Sequence, residues 1–279
     1  MMRVVVLAPI STSLYSRIVV HTLARDSGVE VTGIVVRTPW TLNRISSEFR
    51  RDGVRLIKKV FNKWLLVNAA YSDFQGESLQ TMAKKIDLPG KNLNDLARNW
   101  NIPMITVADH NDRRSQSFLE KYSPDVIVFT GGGIIRSRIL DIPRIGILNC
   151  HTGLLPEYRG MDVIEWAVLE NFNPNHHIGL TLHFMDKGVD SGSILLKQFV
   201  ELKTGDTFES IRLRMEPMMV SLILEGIRGL QDGALKEKMQ KNAEGRQYFI
   251  MHPRLRAKAN QRLKDYHFKE NQQDIISPK

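Results

Sequence analysis

Short apolar runs alternate with segments of helical periodicity along most of the chain. Residues 3–8, 29–36 and 125–130 are β-branched apolar runs of strand length, and apolar residues recur at helical spacing over 14–23. Strands that are apolar on both faces and alternate with helices are typical of a parallel sheet with helices on both faces. The other predicted elements are helices at 92–100, 114–122 and 161–169, and strands at 104–107, 145–150 and 179–184.

Two segments break this alternation. Within residues 38–90, the stretch 44–64 combines basic residues with apolar positions close to helical spacing. This predicts a basic amphipathic helix that either packs on its own domain or lies on an anionic membrane surface. After residue 205 the pattern predicts one long helix over 207–230 and then a basic tail. We therefore expect a domain over 1–205 with an insertion at about 38–90, and a helical C-terminal extension over 206–279.

The composition is that of an ordinary globular protein. The 279 residues are 42% apolar and 25% charged, which argues against disorder. The net charge of +9 is concentrated at 41–70, with seven basic and two acidic residues, and at 236–279, with eleven and five. Solvated surface explains both segments better than a nucleic-acid site does, since neither coincides with the chemistry described next.

Cysteine content and hydropathy bear on location. Cys150 is the only cysteine, so an intrachain disulfide is impossible and a reducing compartment is expected. No apolar run approaches the roughly 18 residues of a membrane span. We expect a cytoplasmic protein, with peripheral contact at the inner face of a membrane through 44–64 left open.

The polar residues of greatest chemical interest follow two predicted strands. Asn149 and His151 are two residues apart at the end of one strand and so point the same way. Asp190 follows the strand at 179–184, in a loop between Gly188 and Gly192. An amide donor, an imidazole and a carboxylate suit acyl transfer without a covalent intermediate. On spacing alone, a structural role for these residues remains the default.

The run from Asn149 to Gly160, NCHTGLLPEYRG, resembles the signature of folate-dependent formyltransferases. That signature is Asn-x-His, two small residues, Leu-Leu-Pro, and then aromatic-Arg-Gly. Residues 178–195 resemble the downstream block of the same family, and 133–143 are similar to its pterin-holding loop. Several elements in one order are much more specific than a single motif. The likeness is strong over 120–200 and loose over 1–37.

The resemblance implies a Rossmann-like formyltransferase fold, N10-formyltetrahydrofolate as donor, a primary amine as acceptor, and no metal. Asn149 and His151 would hold the formyl oxygen, and Asp190 would be the third catalytic residue. Thr152-Gly153 departs from the family's usual Pro-Ser or Ala-Ser, which puts local acceptor contacts in question. The resemblance places Gly133, Ile134, Ile135, Arg136, Leu155, Pro156, Asp186 and Val189 at the donor, and Gly153, Tyr158 and Arg159 at the acceptor. For Tyr158 and Arg159, anchoring of the loop is an equal alternative.

The family contains several acceptor classes. We expect an amino sugar, nucleotide- or lipid-linked, for surface polysaccharide synthesis. The family's tRNA enzymes resemble a catalytic domain plus a roughly hundred-residue β-barrel, whereas fewer than eighty residues follow position 205 here. A methionyl-tRNA formyltransferase-like enzyme, a formyltetrahydrofolate hydrolase and a non-catalytic folate-binding protein are the alternatives. A homo-oligomer is possible through the methionines of the long helix.

Three other features of the sequence give weaker indications of function. Gly131–Gly133 follows a strand but lacks the spacing of a phosphate loop, so we expect close approach of another ligand. His176 and His177 lack a recognisable zinc spacing and are interpreted as surface residues. Cys150 alternates with Asn149 and His151 on the strand, which predicts a core residue rather than a nucleophile.

Overall fold

The computed structural model describes residues 1–38, 76–171 and 174–276, which group into two compact units, 1–149 and 150–279. The amphipathic helix predicted over 44–64, and much of the insertion predicted over 38–90, lie outside the described residues. The boundary predicted at residue 205 stays a prediction. Each unit is described by itself below.

The first unit is built on parallel strands. In spatial order they are β3, β2, β1, β4 and β5, and every neighbouring pair is parallel. All residues from Val4 to Ala8 are fully buried, so both faces of β1 are covered, as the apolar run predicts. The strands are β1 (Met2–Ala8), β2 (Val29–Arg37), β3 (Met104–Val107), β4 (Val126–Phe129) and β5 (Gly146–His151), whose last two residues belong to the second unit.

In the described residues of the first unit, five helices accompany these strands. The first begins after Ser13, whose hydroxyl accepts a hydrogen bond from the Ser16 N–H and so satisfies a helix-end donor. The helices predicted at 92–100 and 114–122 are both present. A helix at 79–85 lies inside the predicted insertion and was not recognised from the sequence. The helices are α1 (Leu14–Ala24), α2 (Leu79–Lys85), α3 (Leu93–Asn99), α4 (Arg113–Tyr122) and α5 (Ser137–Leu140).

The second unit combines short strands with two long helices. β7 pairs with β8 in antiparallel orientation. β6 pairs with β9 in parallel orientation, which places Tyr158 next to Arg246, far along the chain. This second pairing had no signal in the sequence. The elements are β6 (Tyr158–Gly160), α6 (Val163–Glu170), β7 (Gly179–Phe184), β8 (Ile194–Phe199), α7 (Phe208–Gln231), β9 (Arg246–Tyr248) and α8 (Pro253–Ile276).

A buried carboxylate ties three helices of this unit together. Glu165 of α6 has a fully buried side chain whose Oε2 lies 2.5 Å from Arg212 Nη2 of α7 and whose Oε1 lies 3.1 Å from Arg256 Nη2 of α8. A buried charge needs such partners, because burial without them is costly. The basic tail predicted after 236 therefore includes a helix that is fixed to the unit. Within the described ranges, no helix is long and apolar enough to cross a bilayer.

Candidate active site

The end of β5 carries the Asn-x-His pair. Asn149 is the last residue of the first unit, and His151 follows two positions later on the same strand, so alternation directs both side chains to one side. Cys150 lies between them and is a free, buried thiol. Burial raises the pKa of this thiol, so it remains protonated and unreactive, in keeping with a core residue.

His151 is held tightly on one side of its ring. Its side chain is 7% exposed, and Nε2 lies 2.8 Å from the carbonyl oxygen of Tyr158. A Cβ on Gly153 would lie 2.8 Å from this nitrogen and 2.9 Å from the same carbonyl oxygen. The glycine that departs from the family pattern therefore makes room for this contact. The other ring nitrogen, Nδ1, lies 3.5 Å from Asp190 Oδ2.

The loop that carries Asp190 is fixed by its own residues. Asp186 Oδ1 accepts hydrogen bonds from the Gly188 N–H at 2.9 Å and the Ser191 hydroxyl at 2.7 Å. Asp190 has the left-handed conformation, with φ +50°, which aspartate tolerates better than most residues. A Cβ on Gly192 would overlap the carbonyl oxygen of Phe184. These constraints set the direction of the Asp190 carboxylate.

The Asp190 carboxylate lies between two imidazoles. Oδ2 accepts from the Gly160 N–H at 2.9 Å and faces His151, while Oδ1 lies 3.6 Å from His183 Nε2. His183 is 1% exposed, and its Nδ1 lies 2.7 Å from the carbonyl oxygen of Phe184. We call His151, Asp190 and His183 the histidine–aspartate cluster. Burial raises the pKa of Asp190, but the His183 contact, the His151 charge and the Gly160 N–H outweigh it and lower the pKa to about 2.

Opposing effects act on His151. Burial lowers its pKa, the Asp190 carboxylate and the Tyr158 carbonyl act in the opposite direction, and the net shift is downward. Both ring nitrogens face acceptors, so either neutral tautomer leaves one nitrogen lone pair directed at an oxygen. Only the imidazolium has an N–H for each. Because the net shift lowers the pKa, the ring is neutral at neutral pH, and the two acceptors favour uptake of a proton at Nδ1.

Tyr158 and Arg159 contact the C-terminal segment. The Tyr158 ring stacks on Tyr248 with centroids 5.4 Å apart, and its hydroxyl accepts a hydrogen bond from Asn171. Arg159 is buried and donates to the side chain of Gln240. These are the contacts of loop anchors, one of the two alternatives that the sequence left open. Their predicted role at the acceptor stays a prediction.

The predicted donor-binding residues of the second unit differ in exposure. Leu155 is fully buried, with its N–H bonded to the Thr181 hydroxyl, and the peptide that joins it to Pro156 is cis. Val189 is 42% exposed beside Asp190. Asp186 is occupied within its own loop. Contact of these residues with a donor stays a prediction.

The predicted donor loop of the first unit is glycine-rich and braced from outside. Gly131–Gly133 have φ values of +118°, +121° and +104°, a region that favours glycine. Asn111 holds the loop at both ends of its turn, donating to the Ile134 carbonyl at 2.8 Å and accepting from the Arg136 N–H at 2.7 Å. The Ile134 side chain is 80% exposed, whereas Ile135 is buried. An exposed aliphatic side chain beside a glycine-rich turn is suited to covering a flat ring.

Sequence reasoning did not assign His183 and Gln240 to the site. The signal for His183 was its position near the end of β7, seven residues before Asp190. The loop between them turns the chain back toward this strand. Gln240 lies far along the chain in a segment without a motif, so no sequence signal pointed to it. Among the described residues, no group of three or more His, Cys, Asp or Glu side chains is placed to hold a metal ion.

Comparison with known proteins places this geometry in context. Residues of the chain are 36% identical over 135 positions to the methionyl-tRNA formyltransferase of Clostridium tetani, which is 48% of this chain and 43% of that protein. The chain thus spans less than half the length of this curated relative.

Solved structures share the fold at low identity. A phosphoribosylglycinamide formyltransferase from Bacillus halodurans has a TM-score of 0.53 at 18% identity, covering 83% of this chain and 96% of that one. A sugar N-formyltransferase from a Shewanella species has a TM-score of 0.53 at 13% identity, covering 94% and 88%. The predicted α/β fold, a mainly parallel sheet with helices and a helical C-terminal extension, is confirmed. Since the family model for formyl transferases matches residues 2–227, the chain belongs to the formyl transferase family.

Proposed function

We propose that this protein transfers a formyl group from N10-formyltetrahydrofolate to the primary amine of an amino sugar. The single observation that carries the proposal is the histidine–aspartate cluster, whose His151 lies two residues after Asn149 on the same strand. The donor supplies a formyl group on a nitrogen that leaves as an amine. Residues of this chain would stabilise the charge on the formyl oxygen and move the protons.

Asn149 and His151 act on the formyl oxygen in this proposal. The Asn149 amide donates a hydrogen bond to the oxygen as negative charge develops there. His151 has Nε2 committed to the Tyr158 carbonyl, which leaves Nδ1 as the working nitrogen. The proton that Asp190 takes from the incoming amine can pass to Nδ1 of this neutral ring, where it stabilises the same negative charge and is later available to the leaving nitrogen.

Asp190 acts on the proton of the incoming amine. Its low pKa keeps it ionised at neutral pH, so it can accept a proton directly or through water. The 3.5 Å between His151 Nδ1 and Asp190 Oδ2 is longer than an ordinary hydrogen bond. His183 holds the far oxygen and keeps the carboxylate oriented.

The part of the proposed donor site that lies in the first unit has an exposed aliphatic residue after a glycine-rich turn. Ile134 follows Gly133 and is 80% exposed. The Arg136 N–H and the Ile134 carbonyl are already bonded to Asn111, so we assign contact with the pterin to the other backbone groups of 133–135. The residues present fit a flat, hydrogen-bonding ring.

Two supports favour a small amino sugar over tRNA as acceptor. After α7, the described residues form β9 and α8, which pack on β6 and α6 and so belong to the same compact unit as the cluster. The sugar N-formyltransferase structure shares the fold over 94% of this chain and 88% of its own length. The identity to methionyl-tRNA formyltransferases makes tRNA the second candidate.

The test is release of tetrahydrofolate from N10-formyltetrahydrofolate, alone and with amino-sugar nucleotides, lipid-linked amino sugars or methionyl-tRNA. We expect release that requires an amino sugar and falls about 10²–10⁴-fold in His151→Ala. His176→Ala, an exposed histidine of the same unit, is the matched control and should retain wild-type rates.

The other outcomes of this test are informative in different ways. Release with methionyl-tRNA alone would replace the sugar by the second candidate. Release without any acceptor would make the protein a hydrolase. Binding of the donor without release in any arm would favour a folate-binding protein, and absence of binding would overturn the proposal.

A further inference from the structure

One glutamine beyond the family match joins Arg159 to the loop that carries Asp190. Gln240 lies after residue 227, where that match ends, and is half-buried. Its Nε2 donates to the carbonyl oxygens of Asp190 at 2.9 Å and Gly192 at 2.6 Å. Its Oε1 accepts from Arg159 Nε at 3.1 Å and Nη2 at 3.0 Å. One side-chain amide thus holds two separate loops.

Gln240 binds the backbone of the Asp190 loop on one side and Arg159 of β6 on the other. β6 is also the strand that contacts both His151 and Asp190. Arg159 is the middle residue of β6. On one side of it, the Tyr158 carbonyl receives His151 Nε2, and on the other, the Gly160 N–H donates to Asp190 Oδ2. Moving Arg159 relative to Asp190 would therefore change how His151 and Asp190 face each other.

The segment that carries Gln240 is fixed on both sides. Before it, Lys238 and Ile194 exchange two backbone hydrogen bonds of 2.8 and 2.9 Å. After it, β9 pairs with β6 along its full length, and Gly245 packs so closely on Pro156 that a Cβ would overlap its carbonyl oxygen. The backbone on both sides therefore fixes the position of Gln240 beside Arg159 and the Asp190 loop. Its four hydrogen bonds are not those of a loose surface side chain.

We propose that Gln240 is a positioning residue for the formyl-transfer site, which sets the distance between His151 and Asp190 by binding Arg159 and the Asp190 loop together. The catalytic part of this inference rests on the proposed function. The geometric part does not, because it predicts a change in the environment of His151 that can be measured without turnover.

The main test is Gln240→Met, which keeps the length of the side chain and removes all four bonds. We expect kcat to fall at least tenfold with donor KM within about threefold, since a small displacement of reacting groups costs rate rather than binding. We also expect the NMR titration of His151 to move to lower pH, because Asp190 no longer faces it closely. His183 and Asp190 are the titratable groups of the cluster that face this ring.

Two further variants sharpen the test. Gln240→Glu keeps an acceptor for Arg159 but removes the N–H groups that hold Asp190 and Gly192, so it should resemble Gln240→Met and also tests the inference if that variant does not fold. Gln247→Met, the same change at an exposed position of the same segment, is the control and should match the wild type.

Wild-type kcat and an unmoved His151 titration in both Gln240 variants would overturn the inference. A wild type that releases no tetrahydrofolate, combined with a shifted His151 titration in Gln240→Met, would instead refute the proposed function and leave the geometric inference standing. Full activity in Gln240→Glu but not in Gln240→Met would show that anchoring of Arg159 alone suffices, which contradicts a role through the Asp190 loop.

Discussion

The two units each contain a buried histidine, and the two rings differ at one nitrogen. His110 in the first unit and His151 in the second both place Nε2 on a backbone carbonyl oxygen, of Ala8 at 3.1 Å and Tyr158 at 2.8 Å. Burial lowers the pKa of both. Nδ1 of His110 is buried without a hydrogen-bond partner in the part of the chain that the structure describes, whereas that of His151 faces Asp190. The carboxylate at the second nitrogen, rather than burial, therefore distinguishes His151 from His110.

Each ring also packs against a glycine, and the two glycines are required for different reasons. A Cβ on Gly132 would lie 2.6 Å from His110 Cε1, and the residue has φ +121°. A Cβ on Gly153 would lie 2.8 Å from His151 Nε2. Gly132 is thus required both by its backbone conformation and by the ring, whereas Gly153 is required by space alone.

The largest expected effect comes from removing the carboxylate that separates the two histidines. Asp190→Asn keeps the shape of the side chain but removes the charge that favours a proton on His151 and the group that accepts one from the amine. We expect kcat/KM for formyl transfer to fall about 10³-fold, within the range for loss of a general acid or base. The measurement is the rate of tetrahydrofolate release with saturating acceptor.

Asp109→Asn is the matched change in the first unit. Asp109 is an exposed aspartate next to His110, and its charge raises the pKa of that histidine without facing Nδ1 as a partner. Its Oδ1 accepts hydrogen bonds from Asn111, and asparagine keeps that acceptor, so we expect kcat/KM to stay within about threefold of wild type. Equal losses in the two variants would mean that net charge, and not the Asp190 contact, matters.

A smaller effect is expected from filling the spaces at the two glycines. Gly153→Ala should displace His151 from the Tyr158 carbonyl and lower kcat about 10- to 100-fold, because misplacement of a reacting group by about 1 Å is that costly. Gly132→Ala should cost about 1–3 kcal/mol of stability through strain and overpacking. Its kcat per folded molecule should change much less than that of Gly153→Ala. Single-turnover rates and thermal unfolding of both variants check this contrast.

The fold of the first unit was largely readable from the sequence, because its strands are continuous apolar runs and its helices have regular periodicity. His151 and Asp190 lie next to each other in the structure and were both predicted, from two separate blocks of sequence, whereas the role of Asn149 beside them stays a prediction. His183 was less visible, since a buried histidine on an apolar strand has the same pattern whether or not a carboxylate faces it. The pairing of β6 with β9 and the reach of Gln240 depend on contacts between distant segments, and three-residue strands carry too little periodicity to predict them.

The smallest effect is a shift in the titration of one of the two histidines. Both should titrate below the ordinary value of 6.5, because burial lowers the pKa of each. Asp190→Asn should lower the His151 midpoint further and leave that of His110 unchanged, since an opposite charge within a few ångströms favours the charged form. Proton NMR of the imidazole Cε1–H signals measures both midpoints in one sample.

Stability should follow the same protons. The unfolded chain binds a proton at these histidines more readily than the folded one, so the free energy of unfolding should decrease as pH falls from about 6.5 toward the folded midpoints. Asp190, lowered from 3.8 to about 2, contributes stability above 3.8 that is lost as pH falls through that second window. In Asp190→Asn the second loss should shrink and the first should extend to lower pH. If the His110 and His151 midpoints instead move together in Asp190→Asn, the carboxylate does not distinguish the two rings, and burial alone would set the behaviour of both.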